Sequence, residues 1–480
     1  MSKTVLTIQS LTVGCRQRLI VCSALLALTS CESTPGNQPQ ALPNILILYA
    51  DDLGWNDLGC YGNQYHKTPA IDRLCNAGTR FTDAYSDAPV CAPARASLLS
   101  GRGVLDHGIY CINDPEDRHP EARKFDSPPN QRRLPTAMPT LANVLQRAGY
   151  RTGCYGKWHL GYDGEKVSPW HPLNRGFEEA VQTRSPSGKR RYFYPDFSTI
   201  PSVPVPDGQH LSDFVSDEAI KFLSRDDGRP FFLYLPYFSV HGPREAKPES
   251  LAAMSGIERR KTDDHIYASM CMDLDQAIGR VLSALDEQGL ADNTLVVFAS
   301  DNGAIARYDN SPFQKGKGWL HEGGIRVPMI MRWPGVVPAA ATCEVPASAI
   351  DLFPTLCKAA NVPPPAECDG VNLLPAICSG EESNLRDRDL FWHYPTYGKY
   401  RKGRFQARPV SAIRCGRHKL LFDYESGAAA LYDLAEDPGE DRDLSSEQPL
   451  LAQQMQRRLF KWLDQNPSLR PQPRKKMERR

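Results

Sequence analysis

The chain has 480 residues, 41% hydrophobic and 24% charged, and Lys+Arg 57 against Asp+Glu 56 leave a net charge of +1. That balance excludes a disordered, collagen-like or multi-span membrane chain and allows a large buried core. Without a basic excess, duplex nucleic acid is excluded as the main partner, because phosphate binding draws on a net basic surface.

Arg16 and Arg18 precede an apolar run, Leu19 to Leu28, too short to span a bilayer as a stable helix. A positive start, a short apolar stretch and small residues after it predict an export signal over residues 1–31. Leu28-Thr29-Ser30-Cys31 resembles a bacterial lipobox, in which the cysteine is acylated and becomes the new N-terminus. The alternative is a plain secretory signal with an incidental cysteine. Acylated Cys31 implies a protein held at the cell envelope, periplasmic or at the cell surface, touching membrane only through its lipid. The Pro- and polar-rich residues 32–43 then form a tether. Of 14 cysteines, Cys15 and Cys22 leave with the signal and Cys31 is the anchor. An odd number remains, so an oxidising compartment leaves one over, and parity does not say which.

From Asn44, strand-like runs alternate with helical patterns. Asn44–Ala50 (NILILYA) reads as a buried strand, Thr140–Ala148 as a helix, Tyr150–Tyr155 as extended, and Pro230–Val240 and Thr294–Ser300 as further strands. Ile266, Met270, Leu274, Ile278, Leu282 and Leu285 form one face of a long helix. The alternation predicts an α/β domain over 44–385 with a large, mostly parallel sheet flanked by helices, whose site lies beyond the carboxyl ends of the strands. Over 386–465, short strands (Leu390–Tyr394, Val410–Cys415, Lys419–Phe422, Ala430–Leu434) and a helix, Leu450–Leu463, predict a smaller antiparallel α+β module. Residues 466–480 form a basic tail, and 113–133 and 182–191 read as polar insertions. No internal repeat is present.

Asp51-Asp52 stand at the carboxyl end of the first strand, and Asp301-Asn302-Gly303 end another in the same way. Adjacent carboxylates repel unless a cation lies between them, and hard oxygen ligands suit Ca²⁺ or Mg²⁺ rather than zinc. The glycine allows the chain to turn sharply away. Cationic side chains gather in loops: Lys157 and His159 in Gly156–Gly161 (GKWHLG), His241 in His241-Gly242-Pro243, and Lys317 in Gly316-Lys317-Gly318. A cation with several positive groups behind it suits a sulfate or phosphate centre.

Cys91-Ala92-Pro93-Ala94-Arg95, continuing to Ser100-Gly101-Arg102, strongly resembles the signature of the type I sulfatase family, part of the alkaline-phosphatase-like superfamily. Asn174-Arg175-Gly176-Phe177, Lys317–Pro328 (KGWLHEGGIRVP) and Leu431–Glu440 (LYDLAEDPGE) follow in the family's order, so the resemblance spans about Asn44 to Leu463. It implies that a formylglycine-generating enzyme oxidises Cys91 to formylglycine. It also implies that Asp51, Asp52, Asp301 and Asn302 hold one Ca²⁺ with the modified Cys91, and that Arg95 steadies the formylglycine hydrate. Lys157, His159, His241 and Lys317 then surround the sulfate, with His241 or Lys317 as acid for the leaving group. Two departures stand out: Ala94 replaces the Ser or Thr of many members, and Lys315 adds a second lysine before Lys317.

The activity implied is calcium-dependent hydrolysis of a sulfate ester, as in arylsulfatases, with a sulfated polysaccharide as the expected substrate. Two other readings stay open: phosphonate or phosphodiester hydrolysis within the superfamily, and a lipoprotein that binds sulfated glycan without turnover. Basic-aromatic stretches at Arg184–Tyr194 and His393–Arg404 are candidate glycan subsites.

Overall fold

The computed structural model describes residues 42–112, 119–161, 167–184, 191–258, 264–381 and 385–474. The export signal with Cys31, most of the tether, the end of the basic tail and parts of both polar insertions lie outside the described residues.

Nine strands form the main sheet: β1 (Asn44–Ala50), β2 (Thr79–Phe81), β3 (Arg151–Lys157), β4 (Glu179–Arg184), β5 (Ser198–Ile200), β6 (Phe231–Pro236), β7 (Thr294–Ser300), β8 (Met329–Arg332) and β9 (Ala341–Cys343). Their order across the sheet is β9-β2-β8-β7-β1-β6-β3-β4-β5. The five central strands, β7-β1-β6-β3-β4, run parallel, and antiparallel pairing appears where β8 and β5 join. The predicted mostly parallel sheet is present.

β1 lies at the centre, buried along its whole length. Ile45, Ile47 and Tyr49 enter one core and Leu46, Leu48 and Ala50 the other, so an unbroken apolar run is what a strand covered on both faces requires. Helices α1 (Pro69–Asn76), α2 (Cys91–Ser100), α3 (Leu141–Arg147), α4 (Leu211–Leu223), α5 (His265–Glu287) and α6 (Leu352–Ala359) supply the covering layers. α2, α3 and α6 pack on the Ile45 face, and α1, α4 and α5 on the Leu46 face. The predicted apolar face of α5 is the one it buries, through Met270, Leu274, Ile278 and Leu285. Among the described residues no helix is long and apolar enough to cross a membrane.

A second sheet, antiparallel and four-stranded, contains β10 (Asp389–Tyr394), β11 (Val410–Cys415), β12 (His418–Asp423) and β13 (Ala428–Asp433) in that order. Helix α7 (Pro449–Leu463) packs Met455, Leu459 and Leu463 against it. Proline at the first helical position needs no N–H partner there, which sets where α7 starts.

Three expectations change in detail. The extended stretch at 150–155 continues to Lys157, so that lysine ends a strand instead of lying in a loop. Gln182–Arg184, read as the start of an insertion, is the end of β4. All eleven cysteines of the described residues are free thiols.

Candidate active site

The parallel order of the central strands arranges the chemistry. Ala50 pairs with Ser300, so the next residue on each strand is Asp51 and Asp301, side by side. On the other flank of β1, β6 leads into His241, and β3 beyond it ends in Lys157. Three neighbouring strand ends and the segment after a fourth thus run from acidic to basic across the sheet.

Backbone bonds weld this edge. Asp301 N–H donates to Ala50 O at 3.1 Å, Asp51 N–H to Ser239 O at 3.0 Å, and Val240 N–H to Asp51 O at 2.7 Å. Asp52 takes a left-handed conformation with φ 62°, uncommon for a non-glycine residue, and its N–H donates to Asp301 Oδ1 at 3.1 Å. Gly303 earns its place differently from the sharp turn predicted: a Cβ there would lie 1.9 Å from Gly323 O, so the residue is demanded by close backbone approach.

Cys91 opens α2 directly above these carboxylates and is fully buried. Its thiol donates to Asp51 Oδ1 at 3.3 Å, lies 3.8 Å from Asp52 Oδ1, and accepts from Lys317 Nζ at 3.1 Å. Pro93 sits in the first helical turn, where its missing N–H costs nothing. One turn on, Arg95 donates through Nε and Nη2 to Asp301 Oδ2 at 3.0 and 2.7 Å. The helix stops at Gly101, φ 66°, where a Cβ would lie 2.8 Å from both Cys368 Sγ and the Phe353 ring. The cysteine, the arginine and the glycine of the signature thus serve one short helix.

Lys157 Nζ bonds the Asp51 carboxylate and Lys317 Nζ the Asp52 carboxylate. His241 Nε2 stands 3.8 Å from Asp52 Oδ2, while its Nδ1 donates to Gly242 O at 2.6 Å, an assignment that follows because a carbonyl only accepts. His159 is half-buried near this group, φ 64°, with its Nδ1 buried and unpaired. Burial alone would raise the Asp51 carboxyl, yet Lys157, His241 and Arg95 hold it well below the usual carboxylate range. Burial and the nearby Asp51 push Asp301 up to about 6 despite Arg95. Burial opposes the charge on Lys317, but the Asp52 carboxylate, first among its charged neighbours, keeps it an ammonium. Burial, then Asp301 and Asp51, push the Cys91 thiol well above its ordinary value, so an unmodified cysteine there is a poor nucleophile.

Every predicted site residue falls in this one cluster. The cluster can hold a metal ion: Asp51, Asp52, Cys91 and His241 each offer a ligand atom within 4.8 Å of one another, and Asn302 Oδ1 is a further oxygen donor, buried with no hydrogen-bond partner. Lys315 points elsewhere, its Nζ 5.3 Å from the Trp319 ring centre.

Supporting residues escaped the sequence reading. Ser86 Oγ donates to Asp301 O at 2.6 Å, Tyr267 Oη to Asp52 O at 3.2 Å, and Tyr192 Oη to His241 O at 2.6 Å. An isolated Ser or Tyr carries no spacing signal. Tyr192 belongs to one proposed subsite stretch and instead braces the His241 turn. In the other stretch, His393 is buried between Ser411 Oγ at 2.7 Å and Leu469 O at 2.9 Å, so its role is structural.

The sulfatase family profile matches residues 43–362, and the C-terminal profile of N-sulphoglucosamine sulphohydrolase matches 313–466. The chain belongs to the sulfatase family. This sulfatase is 34% identical to N-acetylgalactosamine-6-sulfatase of Canis lupus familiaris, covering 83% of this chain and 75% of that protein. It is 31% identical to a sulfatase of Formosa agariphila, over 88% and 89% of the two chains. Among solved structures, Ps i-CgsB superposes with a TM-score of 0.75 at 31% identity, covering 88% of this chain and 93% of that one. The same protein is known in complex with k-i-k-neocarrahexaose. The phosphonate monoester hydrolase of Agrobacterium radiobacter, TM-score 0.64 at 23% identity over 90% and 100% of the two chains, shares the fold. The chain is a sulfuric ester hydrolase with the alkaline-phosphatase-like architecture.

Proposed function

We propose that this sulfatase hydrolyses sulfate esters of a sulfated carbohydrate, using formylglycine made from Cys91 and one Ca²⁺ held by Asp51, Asp52, Asp301 and Asn302. The observation that carries this reading is Cys91 Sγ lying between Asp51 Oδ1 at 3.3 Å and Lys317 Nζ at 3.1 Å, on the helix that also presents Arg95. Hydrated formylglycine supplies a hydroxyl nucleophile and a second hydroxyl through which sulfate is released, which a thiol lacks. Bound Ca²⁺ supplies Lewis-acid polarisation of the reacting oxygens.

The chain's own residues do the rest. Lys157 and Lys317 face the sulfate with fixed positive charge, where charge builds on the sulfuryl oxygens. Arg95, locked on Asp301, keeps residue 91 in register with the carboxylates. We assign the leaving-group proton to Lys317 on position: its Nζ lies 3.1 Å from Cys91 Sγ, whereas His241 commits its Nδ1–H to Gly242 O and leaves a lone pair at Nε2. His159, neutral because burial and Lys157 depress its pKa, is a proton acceptor. For Lys317→Ala, turnover of aryl sulfates with poor leaving groups falls at least about tenfold more than that of good ones. Equal losses across the series would transfer the role to His241.

The direct test is the mass of the residue-91 peptide from protein made with a formylglycine-generating enzyme. An aldehyde that a hydrazide traps, together with sulfate release from a sulfated-sugar panel, supports the reading; a persistent thiol removes it. Export and acylation at Cys31 belong to the same proposal, since a polysaccharide substrate is met outside the cell. Labelled fatty acid incorporated by the wild type and lost in Cys31→Ser checks that part.

A further inference from the structure

Of the site carboxylates Asp51, Asp52 and Asp301, Asp52 alone has a positive φ, at 62°. A left-handed backbone costs a non-glycine residue energy that surrounding bonds must offset. On one side those bonds come from the end of β7 and the residues just past it. Asp52 N–H donates to Asp301 Oδ1 at 3.1 Å, Leu53 N–H to Ser300 Oγ at 3.1 Å, and Asn302 Nδ2 to Asp52 Oδ1 at 2.8 Å. The other side of the turn meets a buried hydroxyl that takes no part in the chemistry described above.

Tyr267, in the first turn of α5, is buried, and its Oη lies 3.2 Å from Asp52 O and closer still to Asp57 Oδ2. Its one proton is thus shared between acceptors at the two ends of the 52–57 turn. Asp57 closes that turn from within. Its Oδ2 accepts Gly54 N–H at 2.6 Å, and its carbonyl accepts from His66 Nδ1 at 2.9 Å, with the same ring nitrogen 3.5 Å from Oδ1. Asp57 and His66 are both buried. Tyr267 is itself fixed in direction. Its N–H donates to Asp264 Oδ1 at 3.3 Å, and its ring stacks on Tyr308 with centres 3.8 Å and planes 19° apart. Arg307 Nη2 donates to Tyr308 Oη at 2.9 Å. A phenylalanine would fill the same space without the cost of burying a hydroxyl, so the pair of bonds across the turn is what the hydroxyl adds.

We propose that Tyr267 and Asp57 are positioning residues of the cation site: together they hold Asp52 in its left-handed turn, so that its carboxylate meets the cation without reorganising. Neither residue is assigned as a ligand. This inference rests on the Ca²⁺ reading for Asp52 and adds the two residues behind it. Groups that orient a metal ligand from behind typically contribute about 10–100-fold in metal affinity.

The test compares the wild type with Tyr267→Phe, which keeps the ring and its stack, each as the full chain freed of metal by a chelator. In calorimetric titration with Ca²⁺, the Kd of Tyr267→Phe is expected to rise about tenfold or more. Asp57→Asn gives a smaller rise, because an amide oxygen still accepts from Tyr267. Amide hydrogen exchange over residues 51–57, measured without metal, is expected to quicken about tenfold in Tyr267→Phe while exchange in β10–β13 stays as in the wild type. Turnover of an aryl sulfate by Tyr267→Phe falls at low Ca²⁺ and recovers at saturating Ca²⁺, a rescue that loss of a catalytic group does not allow. A wild-type Kd in the folded Tyr267→Phe chain overturns the inference, whether exchange quickens or not, because the turn is then held for folding alone. A fall in Tm as the only change overturns it in the same way. A wild type that takes up no Ca²⁺ overturns the cation reading and the bracket with it, whereas equal uptake by wild type and variant overturns the bracket alone.

Discussion

Cys91 and Gly303 show how single positions carry this site. Burial, then the neighbouring Asp301 and Asp51 carboxylates, suppresses ionisation of the thiol, so the unmodified cysteine is poorly suited to attack. Cys91→Ser, which cannot become an aldehyde by the same oxidation of a thiol, is expected to lose on the order of a thousandfold or more in kcat while its thermal unfolding stays close to wild type. Gly303→Ala puts a methyl group against Gly323 O, a backbone atom with no rotamer to change. Gly303 N–H donates to Gly324 O at 3.0 Å, so the clash shifts Asn302 on one side and the Lys317-bearing loop on the other. The expected outcome is a clear drop in Tm with weakened cation retention, measured by calorimetry and metal analysis. An unchanged Tm would show that the two loops move apart at little cost.

Elements matter here mainly through where they end. β1 and β7 stop at the same level and deliver carboxylates, β3 stops at Lys157, and α2 begins above them with Cys91. In the second sheet, β10 holds His393 fully buried, with Nε2–H donating to Leu469 O and Nδ1 accepting from Ser411. Burial lowers its pKa to about 4, below its ordinary value of 6.5. A depressed folded-state pKa makes stability complete above about pH 6.5 and progressively lost as pH falls toward 4, because the unfolded chain binds the proton more readily. Tm is therefore expected to fall between pH 7 and 4.5. His393→Asn, which keeps hydrogen-bonding groups but does not titrate there, gives a shallower slope. Equal slopes would assign the acid sensitivity to the other buried histidines.

At the scale of the molecule, the second sheet reaches the active site through buried charge. Lys419 on β12 is completely buried and pairs with Glu322 Oε1 at 2.8 Å and Glu440 Oε1 at 2.9 Å. Glu440 Oε2 in turn accepts Glu322 N–H at 2.7 Å, and Glu440 O accepts from Gln314 Nε2 at 2.5 Å. These bonds clamp the two ends of the 314–322 loop, whose middle is pinned by Lys317 N–H to Ala304 O and Gly318 N–H to Pro89 O, both at 2.8 Å. Removing one member of a buried ionic group leaves uncompensated charge, at a cost of about 3–5 kcal/mol. Lys419→Met is expected to lose stability of that order in urea unfolding and to lower kcat/KM through displaced Lys317. Lost stability with full kcat/KM would mean that the clamp holds the sheets together without positioning the lysine.

The α/β class, the long amphipathic helix, the acidic strand ends and the Cys91–Arg95 signature were legible from local pattern, because each depends on residues close in sequence. An apolar run of strand length bounded by Asp-Asp needs no distant partner to be recognised, and neither does the five-residue signature. The neighbours of these features were not legible in the same way. Nothing in the sequence says that β1 pairs with β7 and not with β3, and that pairing is what sets Asp51 beside Asp301. The short strands β2, β8 and β9 at one side of the sheet carry too few residues for a periodic signal and form because the sheet offers them partners. Tyr192, Tyr267, Ser86 and the Lys419 clamp contribute through contacts across many residues of chain. Their chemistry is ordinary until folding removes water and leaves each polar group one partner to meet.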